Sequence, residues 1–169
     1  MNNAIVVNIV RFLGLLLLQI LVLNEIELHG FIHPYIYPLF ILLLPFETPR
    51  WAQLLSAFML GLMVDIYANT IGFHAAASVW LAFIRTSIMQ FNSPPGGYAP
   101  EQKPVLTIMG FNWSVIYIVA GVFLHHIVLF AIEAGSFTNI LSTLGKIGAS
   151  TIISSFLMML YQFLFKPKM

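Results

Sequence analysis

The sequence predicts an all-α polytopic membrane protein with six transmembrane helices, and three observations predict it. Of 169 residues, 60% are hydrophobic and only 8% are charged, with a mean hydropathy of +0.93; no soluble domain of this length needs so much apolar surface. The apolar residues fall in long runs separated by polar turns rich in Pro, Gly and Asn. Lys and Arg recur on alternate turns, as the positive-inside rule requires of a chain that crosses and returns. Six spans use nearly the whole length, so residues 1–169 are expected to form a single integral membrane domain. A net charge of +1 provides no basic patch for nucleic acid. The absence of cysteine removes disulfides, thiolate nucleophiles and Cys-based metal sites.

The first span is expected at about 4–23. It lacks a basic leader and a small-residue cleavage signal, so it should stay in the protein. Arg11 lies in its first third, from where it can snorkel back. The next loop holds Glu25, Glu27, His29 and His33 but no Lys or Arg. The second span, about 28–46, is irregular. Its clean apolar run from Tyr35 to Phe46 would be roughly 18 Å long as a helix, too short for a hydrocarbon core of about 30 Å. It reaches spanning length only by passing Pro34 and Pro38. A broken or tilted helix is expected, its freed carbonyls covered by neighbouring helices, with a re-entrant segment as the alternative.

Pro49 suits the start of the third span, 51–67, and the fourth follows at 72–91. Residues 92–112 contain Pro94, Pro95, Gly96, Gly97, Pro100 and Pro104 and read as an irregular surface loop. The fifth and sixth spans are expected at 113–133 and 140–165. Arg50, Lys103, Lys166 and Lys168 then fall on one side, with Arg11 and Arg85 nearest to it; Lys146 alone disagrees. Both termini are accordingly expected in the cytoplasm.

The third and fourth spans hold the residues that stand out. Ala57, Gly61 and Asp65 follow i, i+4, i+8 on one helix, and Ala75, Ser78, Ala82 and Arg85 share one face of the next. Small residues at this spacing let helices approach closely in lipid, so both faces are read as bundle interior. A charge inside a bilayer is costly and marks a candidate site. Arg85 lies roughly 20 Å from the turn at Gly72 and Asp65 only about 5–7 Å, so the two should not pair. Arg85 is expected to snorkel to the cytoplasmic interface, with a buried role as the alternative. Asp65 either snorkels outward at its helix end or holds a buried partner such as His74 or another chain. His125 and His126 are about 100° apart around a helix, so they are expected to make interhelical hydrogen bonds rather than chelate one ion. No catalytic trio, metal site or cofactor motif is found.

Gly61-Leu62-Met63-Val64-Asp65 followed by Ile71-Gly72-Phe73-His74-Ala75-Ala76 resembles the G-L-x-x-D helix end and G-x-H-A-like helix start of the rod shape-determining protein MreD family. His33-Pro34-Tyr35 and Leu44-Pro45-Phe46 also resemble that family. The motif covers the central third; residues beyond Phe91 agree by hydropathy alone. The resemblance implies a non-enzymatic scaffold of the bacterial inner membrane, working with MreC, MreB, RodA and a class B penicillin-binding protein. It implies a fold similar to the substrate-binding subunits of energy-coupling-factor transporters, which keeps a small-molecule or lipid-binding transport subunit as the rival. Gly61, Asp65, Gly72, His74 and Arg85 are the candidate binding residues, toward partners and membrane lipids.

Overall fold

Long apolar stretches in lipid must satisfy their own backbone, and the helix does so locally. The computed structural model describes residues 2–26, 32–99, 102–135 and 139–165, and among these every regular element is a helix. The helices are α1 (Asn2–Leu21), α2 (Pro38–Leu42), α3 (Arg50–Ala68), α4 (Phe73–Phe91), α5 (Leu106–Met109), α6 (Phe111–Ala134) and α7 (Ile140–Leu164), with a 3-10 turn at Leu23–Glu25. Four stretches are long and apolar enough to cross a membrane: Ile5–Glu25, Arg50–Ala68, Phe111–Ala134 and Ile140–Leu164. They mark a membrane protein. α4 is as long as α3 and, with His74, Arg85 and Gln90 in it, is not among these four.

The expected second span is not one continuous helix. Its start, residues 27–31, lies outside the described residues. From residue 32 the chain runs without helix to the single turn of α2, and bends again before α3. The reason is local. Neither Pro34 nor Pro38 has an N–H to donate, and Pro34 disfavours helix at the residue before it. Pro38 takes the first position of α2, where no intrahelical donor is required.

This broken segment is nevertheless the centre of the molecule. Ile36, Tyr37, Leu39, Phe40, Ile41, Leu42, Leu43 and Leu44 are all buried. Gln19 of α1 meets it at Ile36, and Arg11 of α1 meets it at Leu43. Those contacts are eight residues apart on α1, roughly 12 Å, so the segment runs antiparallel to α1. It runs parallel to α4, from His74 beside Tyr37 to Arg85 beside Leu44. On α6 the order is reversed, with Tyr117 at Leu42 and His125 at Tyr37.

The 92–110 loop is more than a surface segment. Val105 and Leu106 are buried, α5 forms one turn, and the Leu106 N–H donates to Gln162 Oε1 at 2.9 Å. Tyr98 packs on Phe46, ring centroids 4.5 Å apart, and donates to the Met89 carbonyl at 2.6 Å.

Candidate functional site

α3 and α4 pack backbone to backbone. A Cβ built on Gly61 would lie 2.5 Å from Ala75 Cα and from the His74 carbonyl oxygen, so no other residue fits without parting the helices. Ala57, Ala75, Ser78 and Ala82 are buried along the same contact, as the small-residue spacing predicts. The turn uses left-handed backbone twice, at Asn69 (φ 54°) and Gly72 (φ 77°). Asn and Gly are the residues that tolerate it at least cost.

Gly72 stands at the N-cap of α4 and has no side chain to cap it. Asp65 supplies the cap from the preceding helix. Its Oδ1 accepts from the His74 N–H at 3.0 Å and from the Thr70 hydroxyl at 2.5 Å, and its Oδ2 accepts from the Ala75 N–H at 2.9 Å. Asp65 is 1% exposed, so of the two expected roles the buried one holds. What it grips is the backbone of His74, not the ring. The positive end of the α4 dipole favours an anion there, and two of the four orphan N–H groups of a helix start are satisfied.

The expectation that Arg85 snorkels is overturned: Arg85 is 0% exposed. Its Nε donates to the Tyr117 hydroxyl at 2.9 Å and its Nη2 donates to the Leu44 carbonyl. Tyr117 in turn donates to the Leu42 carbonyl at 3.0 Å. The last carbonyls of a helix have no intrahelical donor, and α2 ends in the interior, where water cannot serve them. Arg85 and Tyr117 serve them instead. As expected, Asp65 and Arg85 do not pair; each has its own partners.

Further backbone groups of segment 32–44 are satisfied in the same way. Gln19 Oε1 accepts from the Ile36 N–H at 2.8 Å, while its Nε2 donates to the Pro34 carbonyl at 3.2 Å. The His33 N–H donates to Ser150 Oγ and the Tyr35 N–H to Ser154 Oγ. Arg11 Nη1 donates to the Leu43 carbonyl at 3.1 Å. Between these partners lies a ring cluster. The Tyr37 hydroxyl is 2.9 Å from His74 Nδ1 and 2.8 Å from His125 Nε2. A hydroxyl has one proton to give, so with both rings neutral one ring accepts it and the other donates an N–H to the oxygen. His126 Nδ1 lies 3.1 Å from Thr151 Oγ1. His126 therefore makes the expected interhelical hydrogen bond, from α6 to α7, whereas His125 bonds Tyr37 of the broken segment rather than a helix.

The five candidate residues thus separate. Gly61, Asp65, Gly72 and His74 converge on the α3–α4 turn; Arg85 belongs to the opposite end of the buried segment. His74 also lines a polar cleft of about 370 Å³ with Asn24, Glu25, His33, Tyr67 and Glu133. Gln19, Tyr37 and Tyr117 were not singled out from the sequence. Gln19 had a signal, being the sole polar side chain between Arg11 and Asn24. The tyrosines had none, because a tyrosine in an apolar run reads as core. Among the described residues no group of three or more His, Cys, Asp or Glu could hold a metal ion. No family model, curated protein or solved structure matches the chain.

Proposed function

We propose that this protein is a non-enzymatic scaffold of the bacterial cell-elongation machinery, a six-pass component of the inner membrane with both termini in the cytoplasm. In this reading it binds MreC and links the MreB filaments to peptidoglycan synthesis by RodA and a class B penicillin-binding protein. The observation that carries the reading is the behaviour of the motif behind the MreD resemblance. Gly61, Asp65, His74 and Ala75 make one mutual contact, so the motif is a structural unit rather than a chance string. The alternating directions of α1, segment 32–46, α4 and α6 support six passes. Lys146, the exception to the charge rule, is paired with Glu133 at 2.6 Å, which offsets its charge locally.

Because Gly61 and Asp65 hold the hairpin together, a partner must read its outer surface. Leu55, Met59, Met63 and Ile66 form an exposed stripe along α3. Photo-reactive residues at Leu55, Ile66, Phe83 and Phe123, in membranes of a rod-shaped bacterium, should give adducts with MreC. The scaffold reading fails if MreC is captured from none of the four positions in protein that still folds.

The second reading, a small-molecule or lipid-binding transport subunit, is favoured by the polar cleft beside His74. Of the residues first expected to line a cavity, only His74 is among those that line this cleft; Asp65 and Arg85 are not. A water-soluble ligand protected from exchange by wild type but not by Tyr67→Phe would support it; no ligand-dependent rise in melting temperature across a metabolite panel would reject it.

A further inference from the structure

We propose that the groove between α1 and α7 is a binding site for an anionic phospholipid, its phosphate held by Arg11. This goes beyond the scaffold reading and does not depend on it. α1 packs on α2 and α3, and α7 packs on α5 and α6; between them lies an open groove of about 420 Å³. Its walls are apolar except at one level, where Arg11, Thr107, Tyr161 and Gln162 face it, and among the described residues no acidic one lines it.

The donors at that level are only partly used. Arg11 Nη1 donates to Asn8 Oδ1 at 3.4 Å and to the Leu43 carbonyl at 3.1 Å. Nε and Nη2 have no acceptor among the described residues, nor are they sealed away from the groove. Gln162 accepts from Leu106 through Oε1, which leaves its amide N–H groups without an acceptor among the described residues. A guanidinium in hydrocarbon without a counter-charge is costly. The pair of donors left on Arg11 matches a phosphate in the bidentate geometry that arginine favours.

The position suits a lipid. Arg11 lies roughly 13 Å along α1 from Asn2, a depth from which an arginine side chain reaches toward headgroups as the bilayer thins around it. From the groove an exposed stripe runs on along α1. Val10, Gly14, Leu17 and Leu21 follow i, i+4, i+7, i+11, with Val10 64%, Leu17 48% and Leu21 61% exposed. An acyl chain lies along that stripe. A partner helix would instead need a carboxylate buried at the same depth, with its own cost of desolvation.

The test uses the full chain in nanodiscs of phosphatidylglycerol and phosphatidylcholine in equal parts, with bound lipid read by native mass spectrometry. Wild type should retain phosphatidylglycerol preferentially. Arg11→Gln should reduce that preference by about tenfold, the factor set by one charge-assisted hydrogen bond. Gly14→Leu adds a side chain where no neighbour lies within 4 Å and keeps Arg11, so it should lower occupancy by both lipids in a folded protein. It decides the matter even if Arg11→Gln does not fold. Equal retention of the two lipids by wild type, or wild-type occupancy and preference in Gly14→Leu, overturns the proposal. A photo-reactive residue at Val10 should give a lipid adduct in native membranes; a protein adduct there would assign the groove to a partner helix and overturn it as well.

Discussion

The α3–α4 hairpin and the buried segment 32–44 solve the same problem by opposite means. Each leaves backbone groups unpaired in an apolar interior. In the hairpin the deficit is small and local: one helix start, closed by Asp65 from nine and ten residues upstream. In the segment the deficit is spread over about a dozen residues, and it is met by side chains from α1, α4, α6 and α7. A compact defect needs one anion and a glycine contact. A long one recruits polar groups from almost the whole bundle. Intramembrane charges in this chain are therefore first of all backbone partners.

Substitutions should separate the two solutions. Gly61→Leu should have the largest effect, because its side chain would occupy the Ala75 backbone. Loss of folded protein is expected, read as an aggregated profile in size-exclusion chromatography; a monodisperse, wild-type-like profile would contradict the close approach. Asp65→Ala leaves two buried N–H groups and a hydroxyl without their acceptor, and should cost about 2–4 kcal/mol, measured as a lowered midpoint of unfolding in detergent. Arg85→Leu removes donors from Leu44 and Tyr117, at about 2–3 kcal/mol; its coupling with Tyr117→Phe in a double-mutant cycle should be well above zero, whereas coupling with Asp65→Ala should be near zero. Additive Arg85 and Tyr117 effects would break the shared-partner account. Ser154→Ala removes one neutral acceptor, from the Tyr35 N–H, and should cost only about 1 kcal/mol. Gly148→Ala, on a helix with no neighbour within 4 Å, should be neutral or stabilising by up to about 1 kcal/mol, in contrast to Gly61.

The hairpin was readable because everything it uses is close in sequence. The i, i+4, i+8 series of Ala57, Gly61 and Asp65 fixes one helix face whatever surrounds it. The polar turn with Asn69 and Gly72 punctuates it in the ordinary way. The segment was readable only as a problem. Pro34 and Pro38 announced a broken helix with exposed carbonyls, but nothing named their partners. Arg85 was misjudged for that reason. Helical geometry gives its depth, and depth alone favours snorkelling; the Leu44 carbonyl that draws it inward is 41 residues away. The 92–110 loop hid its buried part for the same reason, since the Leu106 amide finds its acceptor 56 residues later, at Gln162.

Composition and periodicity by themselves settled that this is a helical membrane protein and located five of its long helices to within two residues at each end. They could do so because apolar length and helical repeat are properties of contiguous chain. The tertiary structure alone decided that the proline-broken stretch is the core, that Asp65 caps the next helix, and that Arg85 is sealed inside. Those outcomes depend on which distant side chain meets each unpaired backbone group, and a hydrogen bond between residues far apart in the chain leaves no periodic trace along it.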